Sequence, residues 1–182
     1  MSADLSELLA LYEGDRATAM YDEVVTEREH ALQAAALAEA AAADAATVAA
    51  ALLHDVGRLL GGDPTADGFV AADRAHDRIG ERYLARWFGP VVTEAVGLHV
   101  EAKRYLCGTE PGYVGRLSPV SVRSLAVQGG PMTPEEAEAF RGRRGWEAGV
   151  ALRRWDDRAK SEEPATKTVE DYRPLLEALA AH

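Results

Sequence analysis

The sequence predicts an all-α fold, a bundle of short helices, on three observations. Apolar residues recur at helical spacing, with no strand-like alternation. Alanine is used in long runs, most densely between residues 31 and 51. Helix-start signals recur along the chain at intervals suited to short helices joined by tight turns. At 182 residues the chain has the length of one domain with a single substantial core.

Taken in order, residues 26–43 read as the first long helix, because Thr26 and Glu29 have the spacing of a capping box. Asp44 reads as the N-cap of a second helix, which Gly57 is expected to help end. Residues 61–68 are loop by composition. A third helix is expected over 72–87, stopped by Phe88-Gly89-Pro90, and a fourth over 91–106. Residues 108–119 carry two prolines and three glycines and read as irregular. Ser118-Pro119 starts a short helix that Gln128-Gly129-Gly130-Pro131 ends. Thr133-Pro134-Glu135-Glu136 combines an N-cap, a proline at the first helical position and a glutamate three residues on. A further helix is expected over 146–160. A mobile linker over 161–166 and an amphipathic helix over 168–180 complete the map. The organisation expected is a core over 1–160, with 161–182 supplying a linker and a C-terminal helix packed on it.

Thirty acidic residues against twenty basic ones give a formal charge of −10, which disfavours nucleic acid and anionic membrane surfaces as partners. The single cysteine, Cys107, excludes an intramolecular disulfide framework and reads as a small buried hydrophobe. The first residues lack the basic and apolar regions of a secretory signal, and no apolar run approaches the ~20 residues that span a bilayer. A soluble, cytoplasmic protein is expected, with monomer and homodimer both open.

The histidines carry the chemistry. There are five, and His182 is the last residue. The others, His30, His54, His76 and His99, are separated by 24, 22 and 23 residues, one per helix on four successive helices. Helices of similar length can bring such positions to one level, where inward-facing ligands build a metal site. Asp55 follows His54 inside an apolar run, a costly place for a carboxylate unless a cation compensates it. Asp156 is the best candidate for a further carboxylate. Four imidazoles and two carboxylates suffice for a dinuclear site, with iron, manganese and zinc all open.

This order of His30, His54-Asp55, His76, His99 and Asp156 resembles the HD-domain superfamily. Further stretches make the resemblance more specific: residues 21–26 and 29–35, 50–57, 98–107, 117–125, 128–132 and 152–160. These are similar to the PhnZ-type HD-domain oxygenases, mixed-valent di-iron enzymes that cleave the C–P bond of 1-hydroxylated organophosphonates. The likeness covers nearly the whole chain, from Glu7 to Lys160. It implies an HD-domain bundle with two iron ions in the core, Fe(II) and Fe(III), and O2 as co-substrate. One iron would be held by His30, His54 and Asp156, the other by His76 and His99, with Asp55 bridging. The substrate would be a small organophosphonate, chelating one iron through its hydroxyl and a phosphonate oxygen. The products would be inorganic phosphate and an oxidised carbon fragment.

Lys103 lies one helical turn after His99 and is placed to meet a phosphonate. Ser121, Ser124 and Gln128 are candidate hydrogen-bond donors to it, Arg153 a weaker one. Glu23 matches a family glutamate near the substrate's amino end. Two positions depart from the family. Its covering tyrosine aligns with Met20, so either Tyr21 substitutes through a local backbone shift or the iron is uncovered at rest. Arg58 stands where the aminophosphonate enzymes favour histidine; it offers a bidentate donor to an oxyanion and disfavours an ammonium-bearing substrate. The same ligands would also serve a metal-dependent phosphohydrolase acting on a phosphate ester or nucleotide. An inositol-oxygenase-like C–C cleaving enzyme is the further alternative.

Overall fold

Side-chain caps set the helix starts. Asp4 accepts from the Ser6 amide (2.8 Å) at the head of α1, Leu5–Ala10. Thr26 accepts from the Glu29 amide (3.2 Å) at α2, Glu27–Ala40, and Asp44 from the Thr47 amide (2.7 Å) at α3, Ala45–Leu53. The short α4, Val56–Leu60, follows the His54-Asp55 pair, and α5, His76–Leu84, precedes the long α6, Pro90–Thr109. Ser118 caps α7, Pro119–Val127. Thr133 and Glu136 close a full capping box on α8, Pro134–Arg141. The last two helices are α9, Trp146–Arg158, and α10, Arg173–Ala180. The computed structural model describes residues 4–22, 24–61 and 75–180. Among them there is no strand, only an isolated bridge between Met20 and Thr26. None of their helices is long and apolar enough to cross a membrane. Residues 72–74 of the expected third helix, most of the 61–68 loop and His182 lie outside the described residues.

The main core gathers around α2, α3 and α6. Ala31, Ala34, Ala35 and Ala38 of α2 meet the all-buried run from Val48 to Leu53 of α3, with Val92, Ala95 and Val96 of α6 and Leu152 of α9 beside them. Methyl side chains let backbones come close, and that closeness brings histidines on neighbouring helices into contact. A smaller apolar cluster on the other side of α6 joins Leu98 and Ala102 to Met132, Ala137 and Phe140. Leu176 of α10 is fully buried in the main core.

The structure alters three local expectations. Gly57 does not end a helix. The break comes at His54 and Asp55, and Gly57 lies within α4, where a Cβ would sit 2.0 Å from the His76 carbonyl oxygen. Only a glycine lets α4 approach the first turn of α5 this closely. The capping box at Thr26 is half made, because Glu29 turns away to accept from the Ala165 amide (2.9 Å). The expected mobile linker is tied down for a related reason. Gln33 donates to the Ser161 and Glu163 carbonyls (3.0 and 3.1 Å) and accepts from the Ser161 amide (2.9 Å). Composition marks such a segment as polar, but not that a buried glutamine on α2 supplies its missing partners.

Gly57→Ala is expected to destabilise the fold by about 2–3 kcal/mol, because the contact is with backbone and cannot be relieved by a rotamer change. Denaturant unfolding checks it; a variant as stable as the wild type would show that α4 and α5 can separate freely.

Candidate metal centre

The four predicted histidines converge. His30 projects from α2, His54 ends α3, His76 opens α5 and His99 lies in the middle of α6; all four are buried. The interruption at Asp55 (φ −99°, ψ 13°) matters geometrically. On an unbroken helix, neighbouring residues point about 100° apart. The break turns the carboxylate into the same cavity as the imidazole before it.

Two clusters share Asp55. Its Oδ2 lies 3.4 Å from His54 Nε2 and 3.8 Å from His30 Nε2. Its Oδ1 lies 3.2 Å from His76 Nε2 and 3.6 Å from His99 Nε2. Asp156 of α9 completes the first cluster, with Oδ1 3.2 Å from His30 Nε2. The triads His30-His54-Asp55 and Asp55-His76-His99 are each tight enough to hold an ion.

Backbone carbonyls fix the ring tautomers. His30 Nδ1–H donates to Ala159 (2.8 Å), His54 Nδ1–H to Ala51 (2.8 Å) and His99 Nδ1–H to Val96 (2.7 Å). A carbonyl only accepts, so these Nδ1 atoms carry the hydrogen and the Nε2 lone pairs face the cavity. The Nε2 atoms of His30 and His54 then stand 3.2 Å apart, and those of His76 and His99 2.9 Å apart. Converging lone pairs and buried carboxylates call for positive charge between them. The titration behaviour expresses the same demand. Burial works to lower the His54 imidazolium, but Asp55 overrides it and pushes the pKa up to about 9. Burial opposes ionisation of Asp55 and Asp156, yet His54 holds the first and Arg153 the second well below the carboxylate range. The donor set, imidazole nitrogen and carboxylate oxygen without thiolate, fits two ions of the iron, manganese or zinc kind.

A small cavity of about 20 Å³ opens beside the clusters. Tyr21, Arg58, Lys103, Ser121, Ser124 and Arg153 all line it. Lys103 is buried and donates to Ser124 Oγ (2.5 Å). Arg153 is buried, paired to Asp156 Oδ2 (2.5 Å) and to Asp157, and its Nε has no hydrogen-bond partner among the described residues. Tyr21 stacks on His30 with ring centroids 3.7 Å apart and an interplanar angle of 8°, and its hydroxyl donates to Asp156 Oδ1 (3.3 Å). The shift of register from Met20 thus still brings a phenol to the ligands, while Met20 itself is exposed. Gln128 forms the C-cap of α7 and is not among the described residues that line this cavity. Helix-end chemistry and ligand chemistry use the same residue types, so sequence could not separate them. Glu23 lies outside the described residues. Glu27, not anticipated from sequence, clamps Arg58 through contacts of 2.6, 2.9 and 3.1 Å. Its signal was present, since on a helix Glu27 is one turn before His30. Cys107 is half-buried, and burial pushes its thiol up, so it has no activated thiolate.

Replacing a ligand of one cluster is expected to differ from replacing the shared one. His99→Ala should remove one of two ions per chain, whereas Asp55→Ala should weaken both by about tenfold or more. Elemental analysis after dialysis against a graded chelator distinguishes these outcomes; equal losses in both variants would contradict a bridging Asp55.

The HD-domain family profile matches residues 28–139, which span all four buried histidines and Asp55. A hydroxymethylphosphonate dioxygenase of Gimesia maris is 41% identical over 169 residues, covering 92% of this chain and 84% of the relative. A [1-hydroxy-2-(trimethylamino)ethyl]phosphonate dioxygenase (glycine-betaine-forming) of Leisingera caerulea is 36% identical over 157 residues, covering 86% and 80%. An uncharacterized protein of Acanthamoeba polyphaga mimivirus is 31% identical over 176 residues, covering 95% and 80%. The buried His/Asp constellation and this similarity over most of its length make the chain a member of the HD-domain family, in the group that includes the phosphonate dioxygenases.

Proposed function

We propose that this protein is an iron-dependent dioxygenase that cleaves the C–P bond of a small 1-hydroxylated phosphonate, with hydroxymethylphosphonate its best substrate. The observation that carries the reading is the charge of the cavity wall. Lys103, Arg58 and Arg153 line it, and its only carboxylates among the described residues are Asp55 and Asp156, both turned to the imidazoles. Such a wall receives a phosphonate dianion and offers no counter-charge to an ammonium tail. The relatives named for phosphonate oxidation support the same chemistry.

His30, His54 and Asp156 would hold one iron, His76 and His99 the other, with Asp55 between them. The bound pair supplies the redox chemistry with O2 that no side chain here can provide. The chain's residues bind and orient the substrate. Lys103, steadied by Ser124, meets one phosphonate oxygen, and Arg153 offers its unpartnered Nε to another. Ser121 adds a hydroxyl to the same wall. Tyr21 excludes solvent until substrate arrives. A cavity of about 20 Å³ holds roughly one water, so the phenol must swing off His30 before a phosphonate can enter. Overall, hydroxymethylphosphonate and O2 give formate and inorganic phosphate. Carbon is oxidised, dioxygen is reduced, the C–P bond breaks, and one oxygen is gained by each fragment.

Iron-loaded protein is expected to release phosphate from hydroxymethylphosphonate only in the presence of O2, one O2 consumed per phosphate. Oxygen-independent release from phosphate esters would instead assign the protein to the hydrolases. Lys103→Met should lower kcat/KM about 10- to 100-fold with metal content unchanged, as the loss of a charge-assisted hydrogen bond requires. Arg58→His frees Glu27 from its clamp, and turnover of a panel of 1-hydroxyphosphonates should shift toward ammonium-bearing members. An unmoved preference would remove Arg58 from the specificity argument.

A further inference from the structure

Outside the cavity wall, Lys160 lies against Tyr21 with no ion-paired carboxylate among the described residues. Lys160 is half-buried just beyond the end of α9, and its Nζ donates to Ser118 Oγ (3.1 Å). It also stands 5.5 Å from the centroid of the Tyr21 ring. His30 covers one face of that ring, so Lys160 and the Arg58 guanidinium (5.0 Å) approach the other. No carboxylate among the described residues is ion-paired with Lys160, in a chain of net charge −10.

A row of hydroxyls leads inward from this lysine. Ser118, Ser121 and Ser124 recur at three-residue spacing along α7 and its cap, on one face. Ser118 Oγ donates to Ser121 Oγ (3.2 Å), Ser124 Oγ donates to the Ser121 carbonyl (3.1 Å), and Lys103 donates to Ser124 Oγ (2.5 Å). Ser118 is half-buried, whereas Ser121 (4%), Ser124 (8%) and Lys103 (2%) are all buried. The two lysines therefore mark its outer and inner ends.

We propose that Lys160 is the outer capture residue for the phosphonate group, receiving the dianion before Tyr21 opens and handing it along the serine face of α7 to Lys103. The proposal rests on the phosphonate reading above. A ligand at Lys160 competes with the ring face of Tyr21 for the cation. Its arrival thus loosens one of the contacts that hold the phenol over His30. Lys160 is a binding residue in this scheme and takes no part in the bond-breaking step.

The test compares metal-loaded wild type, Lys160→Met and Lys160→Arg. Lys160→Met should lower kcat/KM for hydroxymethylphosphonate about tenfold at low ionic strength, with kcat retained. Its dependence on salt should be flatter than that of the wild type, because the lost charge is the partly exposed one that salt screens. Lys160→Arg should restore most of both. In parallel, equilibrium binding of inorganic phosphate is measured calorimetrically on the same three proteins, and its affinity should fall in Lys160→Met with the same loss of salt dependence. Unchanged phosphate affinity and an unchanged salt slope would overturn the proposal. A wild type that turns over no 1-hydroxyphosphonate would defeat the functional reading alone, since the phosphate measurement still decides Lys160.

Discussion

The interaction on which the structure depends is the burial of Asp55 among four imidazoles. An ionised carboxylate taken out of water costs several kcal/mol even after relaxation, and here Asp156 is buried close by. Opposite charge must come from within hydrogen-bonding distance, and the imidazoles supply it in only two ways. They can bind protons, as the raised His54 shows, or they can present lone pairs to a cation. The carbonyls of Ala51, Val96 and Ala159 favour the second by holding the ring hydrogens on the far side.

Much of the surrounding fold follows from that requirement. Donors on α2, α3, α5, α6 and α9 must meet within a few ångströms, so the helices carrying them must pack closely. Alanines line the facing sides of α2 and α3, and Gly57 admits the backbone of His76. The interruption between α3 and α4 at Asp55 aims the carboxylate that both clusters share. Arg153 then balances Asp156 from behind. Asp157 and Tyr113 hold the guanidinium in turn, since Asp157 pairs with it and accepts from the Tyr113 hydroxyl.

The helical fold and the meeting of the histidines with Asp55 were legible in the sequence for a physical reason. Helix periodicity and capping are local, and residues as few and as evenly spaced as these histidines leave little choice of partner. Asp156 was legible through its motif. Less visible were the features that depend on which distant groups meet. The Glu27 clamp on Arg58 joins residues 31 apart, and the restraint of the 161–165 segment by Gln33 joins residues 128 or more apart. Gln128 was ambiguous because a polar residue at a helix end has two competing uses. Tyr21 was left open by a one-residue slip in register, and only the stacking of its ring on His30 shows where its phenol goes.

The bond between His30 and the Ala159 carbonyl spans 129 residues. An early histidine of the candidate centre is therefore oriented by a residue at the end of a late helix, and Asp156 comes from that same helix. During synthesis, the first cluster has both histidines and Asp55 long before it has Asp156 or the carbonyl that aims the first ring. Contacts of such high sequence separation form late, because the intervening loop must close first. The full donor set of that cluster is therefore assembled only when α9 has docked, which couples completion of the site to completion of the fold.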